Sequence, residues 1–278
     1  MRDFYKAAPL SAEQGFTDGI EGPACDAAGV LYAVNFERQG TIGAVTPEGD
    51  GHVFIELPAG SIGNGIRFRQ NGLMLVADYT GHNILQVDMH SRRCSVFAHD
   101  ASMNQPNDIC ITKSGIVFAS DPNWKDSTGQ IWRCGLDGRL ECLERAMGTT
   151  NGIEVSHDEK TLYVNESVQR RIWAYDLSPE GIPGRKRLLI EFPDHGLDGM
   201  RCDVDGNLYV TRYGKGTIAK LSPAGAILLE VGLHGMRPSN VAFGGEDGCT
   251  LYVTEVDFGR IESFRVERPG REWALHSI

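Results

Sequence analysis

The chain has 278 residues, 27 of them basic and 37 acidic, for a formal net charge of −10. That balance offers no basic face for a nucleic acid, and no run of about 18 apolar residues offers a membrane span. The 34 glycines, about 12% of the chain against roughly 7% in average proteins, point to many turns, and so to short strands rather than long helices.

The opening segment, "MRDFYKAAPLSAEQGF", contains one plausible strand and lacks the apolar core of a secretory signal. Together with the acidic balance this suggests a cytoplasmic protein. The seven cysteines lack CxxC spacing, and several sit in strand-like runs, so reduced and buried thiols are expected. A Cys134–Cys142 pairing across a hairpin is conceivable.

From Glu21 onward the chain repeats itself. "EGPACDAAGVLYAVN" begins at Glu21, "NGIRFRQNGLMLVAD" at Asn64, "NDICITKSGIVFASD" at Asn107 and "NGIEVSHDEKTLYVNE" at Asn151. "DGMRCDVDGNLYVTR" follows at Asp198 and "NVAFGGEDGCTLYVTE" at Asn240. Successive starts are 43, 43, 44, 47 and 42 residues apart. Each unit reads as a polar residue, a short apolar strand, a Gly- or Asp-containing turn and a second strand such as "LYVT". A third strand follows ("QIWRCGL", "RIWAYDL", "TIAKLSP"), and in most units a fourth ("HVFIELP", "KRLLIEF", "AILLEVG"). Four antiparallel strands in a period near 43 residues are the pattern of a propeller blade. The prediction is an all-β, six-bladed β-propeller forming one domain over residues 1–278. The sixth unit runs out after three strands, so residues 1–20 are expected to supply the closing strand and remove an open sheet edge.

Six repeats place equivalent positions on rings around the channel. The first ring is Glu21, Asn64, Asn107, Asn151, Asp198 and Asn240, all oxygen donors. A second ring ends the second strands: Asn35, Asp78, Asp121, Glu166, Arg212 and Glu255. Adjacent strands run antiparallel, so both rings belong at one mouth. Converging carboxylates and amide oxygens are costly to bury unpaired, and a cation offsets that cost. Glu21 and Asp198 supply two negative charges, and Asn107 and Asn151 can add neutral oxygens. An all-oxygen set suits Ca²⁺, Mg²⁺ or Mn²⁺ better than a Cys/His zinc site.

These motifs together resemble the SMP-30/gluconolactonase/LRE-like (regucalcin-like) family. "EGPACDAAGVLYAVN" is similar to its opening blade, "QPNDICITKSGIVFASDP" to its PND…TDP motif, and the "NG", "DG" and "PSN" units to its later blades. Gln105-Pro106 precede Asn107 where animal regucalcins carry an Arg, so the chain is more similar to the bacterial gluconolactonase branch. The resemblance implies one divalent ion in the channel, Ca²⁺ foremost, with Mg²⁺, Mn²⁺, Zn²⁺ or Fe²⁺ as alternatives. It also implies Glu21, Asn151 and Asp198 as core ligands, and Asn107 as a fourth ligand or a substrate contact. Asp198 is further implied as general base, and the activities implied are hydrolysis of sugar lactones, other lactones and some phosphotriesters.

The mechanism expected from the residues is metal-assisted opening of a small-molecule lactone by water. A ligand carboxylate is a weak base, so Asp121 and Glu166 compete with Asp198 for the proton. Candidate substrate contacts are Asn64, Asn107, Trp124, Arg212 and Tyr213. Phe36 and Tyr79 lie in loops of the same mouth, and His82 and His195 might reach it. Arg212 is expected to bind a carboxylate or a polar sugar edge, or to pair with Glu166 or Glu255. There is no G-x-S-x-G elbow, phosphate loop or HExxH pair. A phosphotriester or aryl-ester hydrolase on the same scaffold, and a non-catalytic binding propeller, are the rival readings; the chain is expected to be a monomer or small homo-oligomer.

Overall fold

The structure is a computed structural model describing residues 4–69 and 72–276. Six four-stranded antiparallel sheets form a ring, five running outward from the axis in chain order and the sixth taking its outermost strand from the N-terminal segment. The innermost strands are Phe16–Cys25, Gly63–Phe68, Ile109–Ile111, Thr150–Val155, Met200–Cys202 and Pro238–Gly244. The second strands (Leu31–Phe36, Leu73–Asp78, Val117–Asp121, Thr161–Glu166, Leu208–Arg212 and Thr250–Glu255) are buried almost throughout. Each is covered on both faces by neighbouring blades, which explains runs such as "LYVT" with no polar alternation. The cores lie between blades. One joins Tyr32, Val34 and Ile42 of the first blade to Ile66, Val76 and Leu85 of the second.

The ring closes as expected, but over a shorter stretch. The strand Ala8–Pro9 pairs with the edge strand Arg260–Arg265, with Ala8 opposite Ser263 and Pro9 opposite Glu262, and Phe4 adds an isolated bridge to Arg265. By Phe16 the chain has already entered the first blade. Phe16, Ile20 and Phe36 then pack with Ala242, Tyr252 and Ile261 across the seam. Cys134 and Cys142 are free thiols, as are all seven cysteines. Trp132, not Cys134, is the register partner of Cys142.

One element has no counterpart in the sequence reading. Helix α1 (Arg271–His276) sits at the other end of the channel. Arg271 is fully buried, donates to the Ile111 carbonyl at 3.0 Å, and pairs with Glu159 at 2.5 Å and Glu154 at 3.7 Å. Glu272 of the same helix pairs with buried Arg67. No helix among the described residues is long and apolar enough to cross a membrane.

Candidate metal and substrate site

The ring glycines explain how six strands crowd around one axis. Gly22 has a φ of +58°, and a Cβ there would lie 1.9 Å from the Asn64 carbonyl oxygen of the next blade. Gly152 has ordinary φ, yet a Cβ would come within 2.5 Å of the Asp198 carbonyl oxygen. Gly65 against Asp108 and Gly199 against Asn240 repeat the pattern. The EG, NG and DG pairs are therefore not turns. Glycine admits the next blade's polar residue, and that close approach draws the first ring together.

A cavity of about 640 Å³ opens at this end. Glu21, Asn64, Asn107, Asn151 and Asp198 line it, with Tyr79, Trp124, Val168 and Tyr213 among its walls. Asn240, the sixth ring member, is turned away from the opening. Its Nδ2 donates to Glu21 Oε2 at 2.9 Å and to Asp108 Oδ2 at 3.3 Å, while its Oδ1 accepts from the Val241 amide. Below it, Asp108 is held by Arg201 at 2.9 Å and Arg67 at 3.4 Å.

The ring groups share a consistent asymmetry. Glu21 Oε2 is occupied by the Gly22 amide and Asn240, and its Oε1 has no donor. Asn151 Nδ2 donates to Ser167 Oγ at 3.0 Å, and its Oδ1 has no donor. The Oδ1 atoms of Asn64 and Asn107 are likewise buried without a donor. The Asp198 carboxyl lies beside that of Glu21 and beside the Asn151 amide. Burial first, and then the Glu21 carboxylate, push Asp198 well above the ordinary range; burial and Asp108 push Glu21 up to about 7. These four donorless oxygens beside the Asp198 carboxyl form an acceptor-rich floor, and a hard divalent cation satisfies such a floor. Among the described residues no three His, Cys, Asp or Glu side chains cluster as a metal site. A cation here would depend on asparagine oxygens.

The second ring does something else. Asp121 accepts from the Asn104 amide at 2.8 Å, the Gln105 amide at 2.6 Å, Gln130 Nε2 at 3.1 Å and Trp132 Nε1 at 2.9 Å. Glu166 accepts from the Gly148 amide at 2.8 Å. Asp78 accepts from Ser61 at 2.9 Å, and Glu255 from the Arg237 amide at 3.3 Å. Each side chain reaches the loop that enters its own blade, 17 or 18 residues upstream. None of these four carboxylates lines the cavity. The register gives the reason. Asp78 lies opposite Gly63, and Glu166 opposite Thr150, each the residue before a ring asparagine and one step of the pleat away from it.

Arg212 follows the second ring outward. It is buried over Phe192 and pairs with Asp194 at 2.6 Å and Glu230 at 3.3 Å, rather than with Glu166, Glu255 or the cavity. Phe36 is also absent from the cavity, packed edge-on against Phe16 at 4.9 Å. His82 and His195 do not line it. Trp124, Tyr213 and Tyr79 do, with Trp124 beside Tyr79 across two blades. The sequence reading missed Asp18, Gln39 and Ser167, which also line the cavity. Asp18 and Gln39 lie outside the aligned repeat positions. Ser167 follows Glu166 directly, so extending the second ring by one residue would have found it.

The SMP-30/Gluconolactonase/LRE-like region model matches residues 20–257. The chain is 33% identical over 245 residues to the gluconolactonase of Zymomonas mobilis, covering 75% of this chain and 68% of that one. It is also 33% identical over 129 residues to the 6-deoxy-6-sulfogluconolactonase of Pseudomonas putida, a match spanning 44% of that protein. Among solved structures it is similar to the calcium-binding protein regucalcin of Agrobacterium tumefaciens, with a TM-score of 0.84 and 21% identity over 97% of both chains.

Proposed function

The chain belongs to the SMP-30/gluconolactonase/LRE-like family, and from that premise we propose that it hydrolyses an uncharged sugar lactone with the help of one divalent cation. The observation that carries this reading is the acceptor-rich floor of the cavity: Glu21 Oε1 and the Oδ1 atoms of Asn64, Asn107 and Asn151, all without donors, beside the Asp198 carboxyl. The named activity of the Zymomonas relative supports it, and that of the Pseudomonas relative supports lactone opening in general, its own named substrate being a sulfonated lactone.

Glu21, Asn151 and Asp198 would hold the cation, with Asn107 as a fourth oxygen or a substrate contact, and Ca²⁺ suits this donor set. Bound there, a divalent ion supplies Lewis-acid polarisation of the lactone carbonyl and offsets charge that builds on its oxygen. Asn64 faces the substrate hydroxyls, and the Trp124–Tyr79 pair offers a flat apolar wall to the sugar's C–H face. Water adds to the carbonyl carbon, and Asp198 Oδ takes its proton. The ring C–O bond then breaks, Asp198 returns the proton to the departing oxygen, and the product is the open-chain hydroxy acid. Lactone and water are consumed in equal number, and no covalent enzyme intermediate is required.

Charge narrows the substrate. Among the described lining residues there is no Lys, Arg or His, and Asp18 adds a third carboxyl group to Glu21 and Asp198. Nearby cations are held elsewhere: Arg212 by Asp194 and Glu230, Lys215 by Glu230, and Arg237 by Asp257. A sulfonated, phosphorylated or carboxylated lactone therefore finds no counter-charge among the described lining residues. The test is acid release from gluconolactone compared with an anionic counterpart such as a glucarolactone. At least tenfold higher kcat/KM on the neutral substrate is expected, and preference for the anion would overturn the assignment.

A further inference from the structure

Ser167 sits one residue beyond Glu166, buried at the cavity wall, and its hydroxyl touches two blades at once. It accepts the Asn151 Nδ2–H at 3.0 Å and donates to the Leu197 carbonyl. Its own amide donates to the Thr149 carbonyl at 2.8 Å, tying it to the segment that leads into Asn151. Leu197 immediately precedes Asp198, whose carbonyl accepts from Asn165 Nδ2 at 2.5 Å. A serine hydroxyl has one proton. With that proton committed to Leu197, the oxygen can only accept, so it must face the NH₂ end of the asparagine amide. Turning the amide by 180° would set Oδ1 against a lone pair of Ser167 and against the neighbouring Asp198 carboxyl, and would put the NH₂ group where the donorless oxygen now stands.

We propose that Ser167 is a positioning residue that locks the Asn151 amide with Oδ1 toward the cavity, and that this lock sets the affinity of the floor for a divalent cation. The inference rests on the cation reading of the site and adds a residue to it. Removing an outer partner of a metal ligand typically costs 10- to 100-fold in metal affinity, and a flipped amide, which repels the cation, belongs in that range.

The experiment uses the full-length protein, stripped with a chelator and titrated with CaCl₂ in a calorimeter. Ser167→Ala is expected to weaken Ca²⁺ binding about 10- to 100-fold, with the melting temperature of the metal-free protein nearly unchanged. Should the alanine variant unfold, Ser167→Cys, close in size and a poor acceptor, carries the same expectation. Asn151→Asp supplies the decisive comparison. A carboxylate presents an oxygen whichever way it is turned, so adding Ser167→Ala to Asn151→Asp should cost less than about threefold. Ca²⁺ binding by the wild type with equal affinity in Ser167→Ala, or an equal loss in both backgrounds, overturns the lock and leaves the cation site standing. No Ca²⁺ binding by the wild type overturns both.

Discussion

Glu21 and Asp198 meet inside the protein, and the Glu21 carboxylate adds to burial in raising the cost of ionising Asp198. A cation must displace the proton that this contact retains. Glu21 is pushed up to about 7 by burial and by Asp108, and Asp198 is raised well above its ordinary range by burial and by Glu21, so protons compete with the metal, most strongly below about 7. Calcium affinity measured by calorimetry should therefore fall as pH drops from 8 to 6, approaching tenfold per unit below about 7 for one displaced proton. A flat profile would show that Glu21 does not exchange a proton for the ion. Asp121 makes the contrasting case. Its acceptor positions are filled by two loop amides, Gln130 and Trp132, so it has no lone pair to offer an attacking water. Asp121→Asn should cost roughly 1–3 kcal/mol of stability, measured by denaturant unfolding, and leave kcat of the folded fraction within about threefold. A collapse of kcat with stability intact would restore Asp121 as a base.

At the scale of strands and helices, the period of the repeat made the blades readable, because each second strand is a short apolar run flanked by turn residues. The first ring was readable for the same reason: its members stand at one position of a repeat. The role of the second ring was not. Asp78, Asp121, Glu166 and Glu255 share a repeat position too, but whether a side chain faces the channel or the entering loop depends on pleat and register, which spacing alone does not fix. Helix α1 escaped because its six residues are too few for a periodic signal. It is nevertheless tightly held, since Arg271 is buried against Glu154 and Glu159. Arg271→Ala would leave Glu154 buried without its partner, and a loss of about 3–5 kcal/mol is expected in denaturant unfolding. Glu154 also carries a pH signature. Burial, with Glu272 beside it, pushes its carboxyl up to about 7 from an ordinary value of 4.5. A raised folded-state value means the native state holds the proton longer than the unfolded chain does. The stability contributed is fully present below about 4.5 and is lost as pH rises through about 7. Glu154→Gln should flatten the fall in melting temperature of the metal-free protein between pH 5 and pH 8. An unchanged slope would place the proton elsewhere.

Across the whole molecule, a ring of near-equivalent blades brings six polar residues to one axis, and departures from equivalence make the site. Asn240 turns to brace Glu21, Gly22 and Gly152 admit the neighbouring blades, and Ser167 links the fourth blade to the fifth. The loops that shape the cavity were the least legible part. Asp18 and Gln39 obey no repeat, and Phe36 and Trp124, both aromatics after second strands, go in opposite directions: one into the seam, the other to the cavity. The most direct measurement is hydrolysis of gluconolactone, followed by acid release over the spontaneous rate. It compares chelator-stripped protein, the same protein with Ca²⁺ restored, and Asp198→Asn with Ca²⁺. The expected result is turnover only in the restored wild type, with the Asp198 variant reduced by at least about 10²-fold, the scale of a lost general base. Full turnover by the stripped protein, or by the Asp198 variant, would contradict the assignment of this floor as the catalytic metal site.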